Sequence, residues 1–126
     1  MEEESKYVDY LINSFIIIHA AAITHSYNEE AYQFNIKSTE RLIHFSKKHG
    51  VKRFVYISSI KANGESSGPG LPIRQSDTPN PLDNYGRSKL AAELALQEIC
   101  RVNNMDYVII RPTLVYGKGV KANFSA

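Results

Sequence analysis

The stretch Arg53-Phe54-Val55-Tyr56-Ile57-Ser58 decides the fold, because a short run of β-branched and aromatic residues is typical of a buried strand. Similar runs precede and follow it, at Phe15–Ala20 and Asp106–Arg111. Their apolar residues are continuous rather than alternating, which is typical of the strands of a parallel sheet. We therefore expect three strands, each buried on both faces.

A helix is predicted before the second strand and another before the third. The first runs over Glu29–His49, where Gly50 provides the stop. The second runs over Tyr85–Asn103, after a cap at Asp83 or Asn84. The side chains expected on their apolar faces are Ala31, Phe34, Leu42, Ile43 and Phe45 in the first helix, and Ala91, Leu94, Ala95, Ile99 and Val102 in the second.

Strands that alternate with helices predict an α/β fold with a parallel sheet and right-handed crossovers. A short helix is also expected over Ser5–Ser14, and the Gly- and Pro-rich segment Ile60–Asp83 is predicted to be a long loop, either functional or disordered. Ligands of such sheets bind at the carboxyl ends of the strands. Here those ends carry His19, Ser58 and Pro112.

Composition narrows the class of protein. The chain has 126 residues, enough for one domain, and a net charge of +2, too small to predict nucleic acid or membrane as a partner. A single cysteine, Cys100, rules out an internal disulfide and fits a reducing compartment. The acidic start is unlike a signal peptide, and the four histidines lack metal-ligand spacing. We expect a cytoplasmic protein without a metal site.

The pair Tyr85 and Lys89 is the first candidate for catalysis. Residues four apart on a helix lie on the same face, one turn apart. A free phenol has a pKa near 10, too high for a base at neutral pH, and a nearby ammonium lowers that value. The pair therefore predicts a general base that takes a proton from a substrate hydroxyl.

Two hydroxyls complete the candidate site. Ser58 and Ser59 come at the end of the central strand, at the open edge of the sheet where a hydroxyl can bind the same substrate oxygen. The Gly- and Pro-rich loop then leads to the helix that carries Tyr85. Strand, paired serines, loop and helix-borne Tyr and Lys together predict one active site.

These motifs resemble the extended short-chain dehydrogenase/reductase family, in particular its NAD-dependent nucleotide-sugar epimerase branch. The resemblance covers the chain from about residue 15 to residue 120 in the order of the family. The segments that carry it are Ile17–Ala22, Asn35–Thr39, Val51–Ser59, Pro81–Lys89 and Arg111–Gly117.

The resemblance implies a role for each matching residue. Tyr85 would be the catalytic base, and Lys89 would hold the nicotinamide ribose and acidify Tyr85. Ser59 would orient the substrate, with Ser58 nearer the nicotinamide. The further residues that the resemblance places at the cofactor are Ala20, Ala21, Ala22, Asn35, Pro112 and Thr113.

The activity implied is epimerisation of a nucleotide sugar, a UDP-hexose, by transient oxidation to a keto-sugar with NAD as cofactor. The intact family member would be a homodimer. Sugar-nucleotide 4,6-dehydratases carry Asp-Glu after the strand-end hydroxyl, whereas Ile60 and Lys61 follow Ser59 here. This difference argues against dehydration. Two alternatives stay open, an NAD(P)-dependent reductase of a non-nucleotide carbonyl compound and a non-catalytic remnant that acts as an interaction module.

The family's phosphate-binding turn, Gly-x-x-Gly-x-x-Gly, has no counterpart before Phe15. We therefore expect residues 1–126 to form a partial Rossmann-like NAD(P)-binding domain. It would lack the first βαβ unit and the carboxy-terminal substrate domain.

The isolated chain should accordingly bind NAD weakly or not at all, because the turn that holds the pyrophosphate is missing. Isothermal titration calorimetry checks this, and a micromolar dissociation constant would contradict it.

Overall fold

A computed structural model describes residues 8–26, 28–66 and 68–119. Of the helix expected over residues 5–14, residues 8–12 are helical and residues 5–7 lie outside the described part. The other predicted strands and helices are confirmed, and each of their ends lies within one residue of its predicted position. They are β1 (Ile16–His19), α1 (Glu29–Lys48), β2 (Arg53–Ile57), α2 (Asn84–Asn103) and β3 (Asp106–Ile110). The predicted loop contains one short 3-10 helix, Ile60–Ala62.

The three strands form one parallel sheet in the order β1-β2-β3, which confirms the predicted fold class. Phe54 of β2 pairs with Ile17 of β1 and with Tyr107 of β3. Two residues further on, His19, Tyr56 and Ile109 stand side by side. The carboxyl ends of the strands therefore meet at one edge of the sheet.

The core lies on one face of the sheet. Phe54 and Tyr56 are buried there against residues of both helices, among them Ile43 of α1 and Leu96 of α2. On the other face, Ile18 is 67% exposed. The expectation that the strands are buried on both faces is therefore wrong for the described residues, because α1 and α2 both pack on the same side.

The predicted helix faces are also wrong in part. Phe34, Leu94 and Val102 are each more than half exposed. The buried positions are instead a mixed set, comprising Asn35, Thr39, Ile43 and Ser46 of α1 and Gly86, Ser88, Lys89, Ala92, Glu93, Leu96 and Cys100 of α2.

Hydroxyl groups can be buried along these helices because they bond to the backbone of their own helix. Thr39 Oγ1 donates to the Asn35 carbonyl at 2.7 Å, and Ser46 Oγ donates to the Leu42 carbonyl at 2.5 Å. A satisfied hydroxyl costs little to bury. Hydrophobic periodicity does not detect such a face, which explains the error.

The start of α2 is held by its cap and by close packing. Of the two predicted caps, Asp83 and Asn84, the structure has Asp83 as the N-cap. Its carboxylate accepts a hydrogen bond from the Gly86 amide at 2.6 Å. A β-carbon on Gly86 would lie 2.5 Å from the Lys61 carbonyl oxygen. Only glycine therefore allows α2 to begin this close to the segment that follows β2.

Within the described ranges, none of the helices combines the length and the apolar character needed to cross a membrane. The same residues contain no group of three or more His, Cys, Asp or Glu side chains arranged to hold a metal ion.

Lys89 is a buried cation between α2 and the sheet, with 2% of its surface exposed. Its ammonium donates to the Ile57 carbonyl at 2.8 Å and lies 4.7 Å from the centre of the Tyr56 ring. Burial lowers the pKa of Lys89 to about 8, although the Glu93 charge acts in the opposite direction. The folded chain therefore holds a charge that the interior disfavours.

Gly86→Ala should destabilise the chain by at least about 2 kcal/mol, because the added methyl group overlaps backbone that cannot move freely. In an unobstructed helix the same change stabilises by about 1 kcal/mol. Urea unfolding followed by circular dichroism measures the difference. Gln97→Ala, at an exposed position of α2, is the control and should change stability little. A stabilised Gly86→Ala chain would contradict the packing argument.

The stability contributed by Lys89 should depend on pH. Its pKa is about 8 in the folded chain against 10.5 when free, so the unfolded chain binds more protons between these values. Stability relative to Lys89→Met should therefore rise with pH, by about 2 kcal/mol between pH 7.5 and pH 9.5. Urea unfolding of both chains across this range checks the sign. Parallel curves would mean that Lys89 titrates normally.

Candidate active site

A cavity of about 640 Å³ opens at the carboxyl ends of the three strands. All but two of the residues predicted for the site line it, namely Ala20, Ala22, Ser58, Ser59, Tyr85, Lys89, Pro112 and Thr113. The exceptions are Ala21 and Asn35, which are not among its lining residues. The structure thus brings together segments that are up to 93 positions apart in the chain.

Backbone hydrogen bonds carry the pairing of β2 and β3 beyond the strands and place the two serines. The Ser58 amide donates to the Ile110 carbonyl at 2.7 Å, and the Ile60 amide donates to the Pro112 carbonyl at 3.0 Å. Ser59 lies between these two bonds, and its Oγ accepts from the Lys61 amide at 3.2 Å as the cap of the 3-10 helix. The serines and the segment after β3 therefore form adjacent parts of one cavity wall.

Tyr85 and Lys89 occupy successive turns at the start of α2. The Lys89 ammonium lies 5.8 Å from the centre of the Tyr85 ring. Burial raises the pKa of Tyr85, as does the Asp83 charge, while the Lys61 charge lowers it. Lys89 is not among the groups that shift this pKa, so the lowering that we expected from Lys89 is wrong for this structure, and the phenol is the resting form of Tyr85 at neutral pH.

Asn35 acts on the loop that follows β1. Its side chain is buried, its Oδ1 accepts from the Ile23 amide at 2.8 Å, and its Nδ2 donates to the Ile23 carbonyl at 2.9 Å. These two bonds hold the loop that carries Ala20 and Ala22 into the cavity wall. A direct contact of Asn35 with a cofactor stays a prediction.

Sequence reasoning missed an aromatic residue of the cavity, Tyr32. Its ring meets that of Tyr85 edge-on at 6.4 Å. Its hydroxyl lies 3.2 Å from both the amide nitrogen and the carbonyl oxygen of Ser26. The available signal was its position three residues before Asn35, on the same side of α1.

An ion pair at the rim of the cavity was missed as well. The Lys61 ammonium lies 2.6 Å from the Asp83 carboxylate and 3.4 Å from that of Glu65. Hydrogen bonding to Asp83 raises the pKa of Lys61. The Asp83 carboxylate is desolvated, but its bonds to Lys61 and the Gly86 amide hold its pKa below the usual value. Both groups are therefore charged at neutral pH.

A buried carboxylate behind the cavity is the third omission. Glu93 follows Lys89 by one turn, so that Tyr85, Lys89 and Glu93 repeat at four-residue spacing along α2. The Glu93 carboxylate accepts a hydrogen bond from Ser58 Oγ and forms an ion pair with Arg111. That spacing was visible in the sequence, but its partners lie 35 and 18 positions away.

The cavity fits the nicotinamide-riboside end of a dinucleotide. Ala20 and Ala22 supply a wall without bulky side chains, which allows a flat ring to approach the backbone closely. The Lys89 ammonium and the Ser59 hydroxyl are among the donors lining the cavity that can meet ribose or substrate oxygens.

Solved structures and curated sequences are similar to this chain. A UDP-glucuronic acid 4-epimerase from Bacillus cereus, crystallised with NAD, superposes with a TM-score of 0.78 at 29% identity over 86% of this chain and 35% of its own. A UDP-glucose 4-epimerase from Vibrio cholerae is 41% identical over 123 residues, 92% of this chain. A Mycobacterium tuberculosis 3 beta-hydroxysteroid dehydrogenase/Delta 5-->4-isomerase is 29% identical over 93% of this chain.

This chain spans 38% of the length of the Vibrio cholerae relative and 33% of the Mycobacterium tuberculosis relative. The model of the NAD dependent epimerase/dehydratase family matches residues 4–126, nearly the whole chain. The parallel sheet, the cavity at its carboxyl edge and this match together establish that the chain belongs to the NAD dependent epimerase/dehydratase family.

Proposed function

We propose that this chain carries the catalytic wall of an enzyme that epimerises a nucleotide sugar, a UDP-hexose, through a transient keto-sugar. The observation that carries the proposal is the convergence of Ser59, Tyr85 and Lys89 on one cavity, from two different elements of the fold. The 41% identity to a UDP-glucose 4-epimerase supports the same choice of substrate. NAD, when bound, supplies the acceptor that takes a hydride from the sugar carbon and later returns it.

Tyr85 is the proton carrier in this proposal. In its deprotonated form, the Tyr85 oxygen takes the proton of the sugar hydroxyl as the carbon is oxidised, and the phenol so formed returns that proton to the keto oxygen when the carbon is reduced. Because burial and Asp83 raise the pKa of Tyr85, that form is the minor one at neutral pH, and its population increases as the pH rises. The Ser59 hydroxyl, on the neighbouring wall, orients the same sugar oxygen.

Lys89 supplies positive charge beside the proton carrier. Its ammonium is already desolvated and is held by the Ile57 carbonyl, so little reorganisation is needed when a polar ligand arrives. The ammonium is well placed to donate to a ribose hydroxyl, the role that the family resemblance implies.

The cavity chemistry favours epimerisation over loss of water. Elimination needs a general base and a general acid beside the sugar, roles that an unpaired carboxyl group can fill. The Asp83 carboxylate, which lines this cavity, is occupied by the Lys61 ammonium and by the Gly86 amide. Its lowered pKa also makes it a weak base.

A second candidate is a dehydrogenase that releases its keto product. It is supported by the 29% identity to the 3 beta-hydroxysteroid dehydrogenase/Delta 5-->4-isomerase. The two candidates differ in one measurable respect, since a dehydrogenase accumulates NADH in proportion to product and an epimerase does not.

A chimera tests the proposal in a complete enzyme. Residues of this chain replace the matching 123-residue segment of the Vibrio cholerae relative. We expect the chimera to interconvert UDP-glucose and its C4 epimer without net NADH formation. Net NADH formation with UDP-glucose or with a 3β-hydroxysteroid would favour the second candidate, and an inactive, folded chimera would count against both.

Tyr85→Phe in this chimera should lower kcat by at least about 100-fold, because it removes the proton carrier but leaves the ring. Coupled assay of the C4 epimer measures the loss. Tyr10→Phe, a change at a tyrosine that is 77% exposed, is the matched control and should have no effect. Near-normal turnover of Tyr85→Phe would refute the assigned role.

A further inference from the structure

Glu93 is a buried carboxylate that the proposed chemistry does not use. Only 1% of its surface is exposed, and both of its carboxylate oxygens accept hydrogen bonds from other side chains. Arg111 Nε donates to them at 2.9 and 3.2 Å, Arg111 Nη2 makes a closer contact, and Ser58 Oγ donates to Oε1. Arg111 Nη1 also donates to Asn63 Oδ1.

The other residues of this hydrogen-bond network all come directly after elements that build the cavity. Ser58 follows β2, Asn63 follows the 3-10 helix, and Arg111 follows β3. Ser58 and Pro112, the residue after Arg111, are themselves part of the cavity wall. Glu93 therefore joins the segments after β2 and β3 directly, and Arg111 extends the network to Asn63.

Stability alone is a poor reason for this arrangement. Burying an ion pair costs the desolvation free energy of both charges, and a protein with apolar residues of similar size in their place is often equally stable. Its advantage is geometric, since a bidentate guanidinium and carboxylate fix both distance and orientation. The arrangement therefore suits a part of the fold whose spacing matters.

Glu93 also acts on the ammonium of Lys89. The groups that interact with that ammonium are His19 of β1, Tyr56 of β2, and Tyr85 and Glu93 of α2. Glu93 lies one turn after Lys89 and is buried as Lys89 is, and its own partner is Arg111 after β3. Among these, Glu93 raises the pKa of Lys89 against the effect of burial. The same Lys89 charge helps to lower the pKa of His19, after burial.

We propose that Glu93 is a positioning residue, which holds the segments after β2 and β3 at a fixed spacing and provides the buried counter-charge for Lys89. The role for catalysis rests on the proposed function, because it matters only if Ser59 and Lys89 act on a substrate. The structural part does not depend on it.

The first test is the titration of Lys89 in the full 126-residue chain, followed by NMR of ¹³C-labelled lysine and assigned with Lys89→Arg. Glu93→Gln should lower the pKa of Lys89 by roughly one pH unit, since an opposite charge nearby is lost. Glu98→Gln is the control on the same helix, where the carboxylate is exposed and paired with Arg101, and should leave Lys89 unchanged. An unchanged Lys89 in folded Glu93→Gln overturns the proposal.

A second variant tests the positioning role of Glu93 if Glu93→Gln does not fold. Glu93→Asp keeps the negative charge but shortens the side chain by one methylene group, which moves the carboxylate away from Ser58 and Arg111. Exchange of the Ser58 and Ile60 amides, which bond to the segment at the end of β3, should become about 10-fold faster. The Lys52 amide, bonded to Phe15, should not change. Equal exchange of Ser58 and Ile60 in both chains overturns the proposal.

The chimera separates this proposal from the proposed function. In a chimera that is active, Glu93→Gln should lower kcat about 10-fold or more and move the pH profile, whereas Glu98→Gln should do neither. An inactive parent chimera combined with a shifted Lys89 contradicts the function and supports the positioning role. An active chimera that Glu93→Gln leaves unaffected contradicts the positioning role and supports the function.

Discussion

The in-register pairing of β2 with its two neighbours is the constraint on which the candidate site depends. Parallel strands of matched length end at one edge, and their backbone bonds continue past the strands from Ser58 to Ile110 and from Ile60 to Pro112. Residues that leave different strands thereby become neighbours. A slip of one residue would turn Phe54 and Tyr56 out of the core and Ser59 away from the cavity.

Buried charge is the second feature that ties the fold to the site. Lys89 lies in the interior without a direct ion pair among the described residues, held by a carbonyl and two aromatic rings. Glu93, one turn later, is paired with Arg111 and bonded to Ser58. Isolated buried charges are expensive, and removal of one partner from a pair leaves the other uncompensated. Such costs are typical of functional sites, where geometry matters more than stability.

The start of the long loop after β2 is held by its contacts with the start of α2. The 3-10 helix brings the Lys61 carbonyl against Gly86, and the Lys61 ammonium binds Asp83, the cap of α2. The position of Tyr85 relative to Ser59 therefore follows from a small set of local contacts. A helix that began one residue later, or with a side chain at Gly86, would move the phenol relative to the hydroxyl.

Local sequence patterns were sufficient for the elements and the parallel sheet, and together with the family resemblance they named eight of the residues that line the cavity. Short runs of β-branched and aromatic residues such as Arg53–Ser58 favour strands, and helices between them favour parallel order. The spacing of Tyr85 and Lys89 and the Ser58-Ser59 pair at a strand end identified the candidate catalytic residues, because strand ends and helix turns have known geometry.

Properties that arise from contacts between distant segments needed the tertiary structure. The helix faces were misassigned because Thr39, Ser46 and Glu93 are buried with their polar atoms hydrogen-bonded. The spacing of apolar residues does not predict the burial of such polar side chains. The pKa of Tyr85 is raised rather than lowered because burial, a property of the packed chain, has a larger effect than the one lowering charge, that of Lys61. Periodicity reports the preference of a segment for water, whereas burial and charge pairing depend on what the rest of the chain places beside it.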